Sequence, residues 1–242
     1  MTTEPIVGSV SAFFPCYNDA PTIAKMVDDV DSALASTGID YEIIVTNDGS
    51  KDDSAAVLER LQAANPRLRV VTHEVNRGYG GALISGFGAA TKDWIFYTDG
   101  DAQYDASEIT SLLAAARPDT DVVQGWKMMR GDPWYRWLIG RTYHYTVRFA
   151  FNLHVKDTDC DFRLFKRSLI TQRPLTSTSG VICVEMMRTF EQADARFVQV
   201  GVHHYHRPAG RSQFFRLPAI ARSFRQLGEL WWRLMVRGRR GA

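Results

Sequence analysis

Short apolar, β-branched runs alternate along this chain with stretches whose apolar residues recur every three or four positions. The first kind reads as buried strand, the second as a helix with one buried face. Residues 6–14 are the first strand expected, closed by Pro15. Asn18 and Asp19 offer a cap, with Pro21 in the first turn, to a helix facing inward through Ile23, Met26, Val27, Val30 and Leu34. Gly38 ends it. Residues 41–45 are a second strand, and Ser50 with Asp53 predicts a capping box for a helix buried through Val57, Leu58 and Leu61. A third strand over 68–72, a third helix over 82–90 and a fourth strand over 94–98 follow. Asp105 and Glu108 open a helix that ends near Pro118, and 121–124 is a fifth strand. This alternation predicts an α/β fold, a mostly parallel sheet flanked by helices with right-handed crossovers.

Past residue 125 the pattern changes. Residues 126–153 interleave Arg130, Arg136, Arg141 and Arg148 with Trp and Tyr. Residues 157–167 read as a turn entering a strand, 185–191 as helix and 197–202 as strand. The tail from Arg207 holds nine arginines, no lysine and one acid, Glu229. Within it Leu217, Ile220, Phe224, Leu227, Leu230, Trp231 and Leu234 recur at helical spacing, predicting a C-terminal amphipathic helix. The expected organisation is one α/β domain over 1–206 and a basic segment over 207–242. That segment either lies in a membrane interface or packs on the domain or a second copy.

At 242 residues, 45% hydrophobic and 23% charged, the chain has enough apolar material for one large core. The net charge of +2 decides little. Cys16, Cys160 and Cys183 are widely spaced and odd in number, which fits a reducing compartment and not a disulfide framework or zinc site. Glu4 stands where a signal peptide would be basic, and no run reaches the roughly 18 apolar residues of a membrane span, so neither is expected.

The chemistry concentrates where the fourth strand ends. Asp99 and Asp101 flank Gly100, with Gln103 and Asp105 just beyond. Ligands of open α/β sheets bind outside the carboxyl ends of strands. Two carboxylates this close repel unless a cation lies between them, and hard oxygen donors favour Mg2+ or Mn2+, which readily share substrate phosphates. A parallel sheet brings to the same edge Cys16-Tyr17-Asn18, Asn47-Asp48-Gly49 and Arg77-Gly78-Tyr79-Gly80-Gly81. These supply acceptors for a base or ribose, a positive charge and backbone N–H groups near a helix start. A dinucleotide fingerprint starting at Gly78 would need glycine at 83, which is Leu83, and no Walker lysine-serine pair is present. His203, His204 and His206 read as packing at a strand edge, not as a metal cluster.

Taken in order, these motifs resemble family 2 glycosyltransferases of the GT-A fold, a Rossmann-like architecture, and among them the dolichol- or polyprenyl-phosphate sugar synthases. The resemblance spans nearly the whole chain, from Phe14-Pro15-Cys16-Tyr17-Asn18 through Asn47-Asp48-Gly49-Ser50, Asn76–Ala82 and Thr98–Asp105 to Asp157–Phe165, Glu185 and Arg207–Ser212. It implies inverting transfer of a sugar from a nucleotide-diphosphate donor to a polyprenyl phosphate. It places Pro15, Tyr17, Asn18, Asn47, Asp48, Arg77, Gly78, Asp99 and Gly100 at the donor, and Asp99, Asp101 and Gln103 at Mg2+ or Mn2+. Arg130 and Arg141 fall where such synthases carry phosphate-binding arginines, and Arg207, Arg211 and Ser212 match a late motif closing over donor or acceptor. Asp101, Arg130, Arg141 and Glu185 are the catalytic candidates. Glu185 stands where a hydroxyl-using relative has its general base; orienting arginines or sugar, or a simple pairing with Arg188, are its other readings. Asn47 stands where aspartate is common, and Asp161 where glycine is usual after the cysteine.

The expected setting is peripheral, on the cytosolic face of a membrane, with no nucleic acid partner and the oligomeric state open. An acceptor phosphate is already anionic and needs no strong base, and arginine forks suit its oxygens. The rivals are the same fold acting on a soluble or polysaccharide hydroxyl, and a non-catalytic binder of nucleotide or anionic lipid.

Overall fold

The structure, a computed structural model, describes residues 6–128, 145–158, 160–206 and 217–237, with side chains from 223 onward in the last stretch. Strand β1 (Ser9–Cys16) leads through helix α1 (Ile23–Ala35) to β2 (Asp40–Asn47), and α2 (Ser54–Ala64) leads to β3 (Leu68–Thr72). Helix α3 (Tyr79–Ala89) carries the chain back to β4 (Trp94–Thr98). A 3-10 turn (Ala106–Glu108) runs into α4 (Ile109–Ala115) and then β5 (Val122–Lys127). Helix α5 is described over 145–151. After it come β6 (Phe162–Lys166), the short α6 (Ser168–Thr171), α7 (Ile182–Gln192), β7 (Phe197–Val202) and α8 (Leu217–Trp231), which continues as π-helix over Trp232–Arg237.

The strands form one sheet in the order β3-β2-β1-β4-β6-β5-β7. The four on the β3 side are mutually parallel, while β6 runs antiparallel to both neighbours. Each central strand is apolar on both faces, as a sheet covered by helices on two sides requires. In β1, Val10, Ala12, Phe14 and Cys16 join the core under α1 and α4. Phe13, between them, points into the opposite core, with Leu83 and Phe87 of α3, Ile182 and Phe190 of α7, and Leu227 and Leu230 of α8.

Several local expectations shift. Pro15 lies inside β1, not past its end. Pairing with β4 stops at Phe13, while pairing with β2 continues through Cys16, so the missing proline N–H falls where no neighbouring strand remains to receive it. Helix α1 starts at Ile23, and its first turn is set by the Asp19 carbonyl, which accepts the N–H groups of Thr22 and Ile23 at 3.0 Å each. Ser50 makes no capping box: its hydroxyl accepts the Asn18 N–H at 3.0 Å, and Asp52 receives the Ser54 N–H instead. The glycine-rich turn already belongs to α3, which begins at Tyr79 and not at Ala82.

This topology creates the site. From β1 the chain crosses to β2 on one side, and it returns from β3 to β4 on the other. The loops after β1 and β4 therefore diverge and leave a crevice between them, the switch point where open α/β sheets bind ligands. The antiparallel β6 adds its own beginning to that edge, since Phe162 pairs with Thr98.

Close packing of α3 on the sheet depends on Gly86. A methyl there would meet the Phe13 ring at 1.9 Å, and Phe13 is itself held edge-on by Phe87 at 5.3 Å. Gly86→Ala should therefore destabilise the protein by about 1–3 kcal/mol in urea denaturation; an unchanged midpoint would mean that this contact has slack.

Candidate active site

Strand β4 is buried throughout and releases the chain at Thr98, so the next side chain emerges at the edge of the core. Asp99 is half-buried there and accepts a hydrogen bond from the Tyr79 hydroxyl at 2.7 Å. Burial, and then the negative charges of Asp161 and Asp101, push its carboxyl well above the ordinary carboxylate range. Gly100 is required by a close approach: a Cβ there would lie 2.8 Å from the Pro15 carbonyl oxygen. Its own carbonyl accepts the Thr22 hydroxyl at 2.8 Å, which ties the β4 loop to the start of α1. Two residues on, Ala102 takes the left-handed conformation, at φ 56°.

Asp101 is buried, and its Oδ1 accepts the Gln103 N–H at 3.0 Å. Gln103 is clasped by Tyr205, whose N–H reaches the Gln103 carbonyl at 2.8 Å while the Gln103 side-chain amide donates to the Tyr205 carbonyl at 3.4 Å. Asp105 leaves the acidic group: its Oδ1 accepts the Ser107 N–H at 3.0 Å and caps the 3-10 turn. His203 is held by Glu108 at 3.0 Å, and the His204 ring lies against Tyr104 at 5.0 Å. The histidine run thus fastens β7 over the 101–108 loop, and the described residues contain no cluster of three or more metal-ligating His, Cys, Asp or Glu side chains.

The loops after β1 and β2 brace each other. Asn18, at φ 58°, takes the Lys51 N–H on its side-chain oxygen at 2.7 Å. Asn47 closes its own turn by accepting the Ser50 N–H at 3.1 Å. Tyr17 is exposed at the crevice. Asp48 is buried, and its Oδ1 lies 2.6 Å from His73 Nδ1 and 2.8 Å from the Arg77 N–H. His73 Nε2 meets the Ser85 hydroxyl at 2.8 Å, so α3 orients the ring that orients Asp48. The Arg77 side chain is exposed beside them.

The glycine-rich turn at the start of α3 was expected to offer free N–H groups. Most are already used: Gly78 donates to the Asn76 side chain at 3.0 Å, Ala82 to the Gly78 carbonyl at 3.0 Å, and Gly80 and Gly81 to the Thr178 carbonyl at 3.0 and 3.4 Å. The glycines serve close packing. A Cβ at Gly80 would lie 2.2 Å from the Ser177 carbonyl oxygen, and one at Gly78, where φ is 82°, would lie 2.6 Å from that of Thr178.

Sequence reasoning missed the site role of Asp161 and Arg163. Asp161 stands at the start of β6, and its Oδ1 accepts the Tyr97 hydroxyl at 2.5 Å and Arg163 Nη1 at 2.9 Å. Arg163 is fully buried, its fork spent on Asp161, Tyr97, Gln124 Oε1 at 2.7 Å and the Thr158 carbonyl at 2.9 Å. The signal was an arginine at an inward position of the apolar run Phe162-Arg163-Leu164-Phe165, which a buried partner must neutralise.

Glu185 opens α7 and is buried, 4% exposed. Its partner is Arg233 at 2.8 Å, not Arg188, whose Nε is buried without a hydrogen-bond partner among the described residues. The remaining candidates, Arg130, Arg141, Arg207, Arg211 and Ser212, lie outside the described residues.

The raised Asp99 carboxyl has a consequence for the metal-free protein. The folded state keeps this proton to a higher pH than the unfolded chain does, so its stability falls as pH rises above the usual carboxylate range. With EDTA present, Asp99→Asn should melt above the wild type at pH 7, and the gap should close as pH falls toward about 4. A wild type at least as stable as the variant at pH 7 would show that no such penalty exists.

With this geometry in view, three kinds of likeness agree. The family described as "Glycosyl transferase family 2" matches residues 11–173. Undecaprenyl-phosphate 4-deoxy-4-formamido-L-arabinose transferases of Enterobacter sp. (strain 638) and Sodalis glossinidius (strain morsitans) are each 29% identical over 88% of this chain, which spans 65% of their length. Among solved structures, glucosyl-3-phosphoglycerate synthase from Mycobacterium tuberculosis, with Mn2+, UDP and its product, superposes with a TM-score of 0.69 at 21% identity, covering 93% of this chain and 78% of that one. A mannosyltransferase from Pyrobaculum calidifontis, with GDP-Man and Mn2+, gives 0.60 at 19% identity over 84% of this chain and 58% of that one. The superpositions show the GT-A fold, and the chain belongs to glycosyl transferase family 2.

Proposed function

We propose that this protein transfers a sugar, with inversion, from a nucleotide-diphosphate donor to a polyprenyl phosphate at a membrane surface. The observation that carries the reading is the Asp99–Asp101 pair at the crevice between β1 and β4, where burial and the neighbouring Asp161 make Asp99 resist ionisation. A site that disfavours its own negative charge fits a divalent cation. The donor set also fits: two carboxylates, with Gln103 as a third candidate, are few, hard ligands that leave room for diphosphate oxygens, as Mg2+ or Mn2+ prefers. Such an ion, when bound, neutralises charge gathering on the leaving diphosphate.

The chain's own residues supply the rest. Tyr17, Asn18, Asn47 and Asp48 would border the nucleoside, with Pro15, Gly78 and Gly100 shaping the crevice floor and Arg77 reaching the phosphates. Arg130, Arg141, Arg207, Arg211 and Ser212 would hold donor and acceptor phosphates, with forks matched to their oxygens. An acceptor phosphate oxygen attacks the anomeric carbon from the face opposite the diphosphate. The carbon–oxygen bond to the diphosphate breaks, and its electron pair leaves with the nucleoside diphosphate. No proton needs removing from an acceptor that is already anionic. That agrees with Glu185, which is buried, with Oε1 accepting from Thr176 and Arg233 and Oε2 from Ser177. The relatives named as undecaprenyl-phosphate transferases support the acceptor class.

We assign the surface formed by α5 and α8 to the membrane, on its cytosolic face. Among the described residues no helix is long and apolar enough to cross a bilayer. Phe149 is 91% exposed, with Tyr145, Phe224, Trp231 and Trp232 exposed on the same two elements, which Trp231 Nε1 links by donating to the Ala150 carbonyl at 2.9 Å. Aromatic side chains with arginine neighbours suit the headgroup layer. Replacing Phe149 and Trp232 together by serine should release the protein from anionic vesicles in cosedimentation without lowering its melting temperature; undiminished binding would remove this assignment.

Turnover tests the central reading. Nucleoside diphosphate release should need Mg2+ or Mn2+, rise on addition of polyprenyl phosphate and stop in EDTA. Asp101→Asn should cost at least about 100-fold in kcat, whereas Glu185→Gln should leave measurable turnover. Full activity in EDTA would sink the metal assignment, and complete loss in Glu185→Gln would favour a hydroxyl acceptor.

A further inference from the structure

Glu185 spends its carboxylate on its own chain. Its Oε1 accepts the Thr176 N–H at 3.2 Å and the Thr176 hydroxyl at 3.0 Å, and its Oε2 accepts the Ser177 N–H at 2.8 Å. The only cation on it among the described residues comes from the far end of the sequence. Arg233, just past α8, donates from Nη2 to Glu185 Oε1 at 2.8 Å and to the Ser177 hydroxyl at 3.2 Å, and from Nη1 to the Thr176 hydroxyl. One step further, the Thr178 carbonyl receives the N–H groups of Gly80 and Gly81. Tyr79, enclosed by these glycines, reaches Asp99 with its hydroxyl at 2.7 Å.

We propose that Arg233 is a positioning residue for the donor site: through Glu185 it clamps the 176–178 segment beneath the glycine turn and so holds Tyr79 against Asp99. The inference rests on the donor reading above. No slack exists along this line, because the 177 and 178 carbonyls stand where a Cβ of Gly80 or Gly78 would be. A shift of the segment must move the turn. Charge-assisted bonds to a buried carboxylate are strong, and removing the cation leaves that carboxylate with neutral donors alone, driving it toward water. Docking of α8 does not need Arg233: Leu227 and Leu230 are buried in the core and Trp231 bonds Ala150. Loss of the guanidinium therefore loosens the clamp while the helix stays seated.

The test compares the full-length wild type with Arg233→Ala, Arg233→Lys and Arg225→Ala, the last removing a solvent-exposed partner of Glu229 on the same helix. Initial rates of nucleoside diphosphate release are measured against nucleotide-sugar concentration at saturating polyprenyl phosphate, with vesicle cosedimentation and melting temperature alongside. Arg233→Ala should raise the donor KM about tenfold, leaving the acceptor KM, vesicle binding and melting temperature near wild type. Arg233→Lys should recover part of the loss, and Arg225→Ala should match wild type. An unchanged donor KM in Arg233→Ala, or an equal rise in Arg225→Ala, overturns the proposal. If the wild type releases nucleoside diphosphate from no nucleotide-sugar, the donor reading fails, and the clamp is judged by hydrogen exchange. The Gly80 and Gly81 amides must then exchange faster in Arg233→Ala than in wild type, and equal rates overturn the clamp.

Discussion

Repulsion among carboxylates at one strand end organises this molecule. Asp99, Asp101 and Asp161 converge where β4 stops and β6 starts, at the border of a core built from the aromatic faces of both strands. Negative charges that close are unfavourable at the edge of a low-dielectric interior unless positive charge answers them. Within the fold the answer is Arg163, fully buried and bonded to Asp161. Asp99 instead takes the Tyr79 hydroxyl, and Asp101 the Gln103 N–H. Burial, with Asp161 and Asp101 beside it, holds the Asp99 carboxyl above the usual carboxylate range at the strand end that borders the crevice.

Rigidity around those carboxylates is assembled from distant parts of the chain. Asp48, His73 and Ser85 form one hydrogen-bonded line between the β2 loop and α3. Gly100 lets the β4 loop press on β1, and Tyr205, just past β7, clasps Gln103. Each contact removes freedom from a group at this sheet edge, the kind of ordering that preorganises a site. The glycine-rich turn belongs to the same scheme. Its N–H groups are committed to the 176–178 segment and to its own helix, so its flexibility on paper becomes close packing in the fold.

The tail joins both halves of the reading. One face of α8 completes the core through Leu227 and Leu230, while Phe224, Trp231 and Trp232 remain outside. The alternatives of packing helix and membrane helix are therefore compatible, because a helix has two sides and the described residues use them differently. Its arginines divide likewise: Arg225 pairs in solvent with Glu229, while Arg233 turns inward to Glu185.

Sequence alone determined the alternation of strands and helices from β1 to β5, a mostly parallel sheet and the acidic end of β4, because buried periodicity and strand-end chemistry are local signals. The strands over 68–72, 94–98 and 197–202 stand where the pattern of apolar residues placed them. Helix starts were less legible: Ser50 and Asp53 have the letters of a capping box, yet Ser50 is drawn to Asn18 across the β1–β2 edge. Tertiary structure alone decided that β6 enters antiparallel and sets Asp161 beside Asp99, that Arg163 is buried against Asp161 and Tyr97 and that Glu185 meets Arg233 and not Arg188. Asp99 and Asp161, and Glu185 and Arg233, are separated by tens of positions, and no periodicity records which buried charge will find which partner; only the folded path of the backbone brings them together.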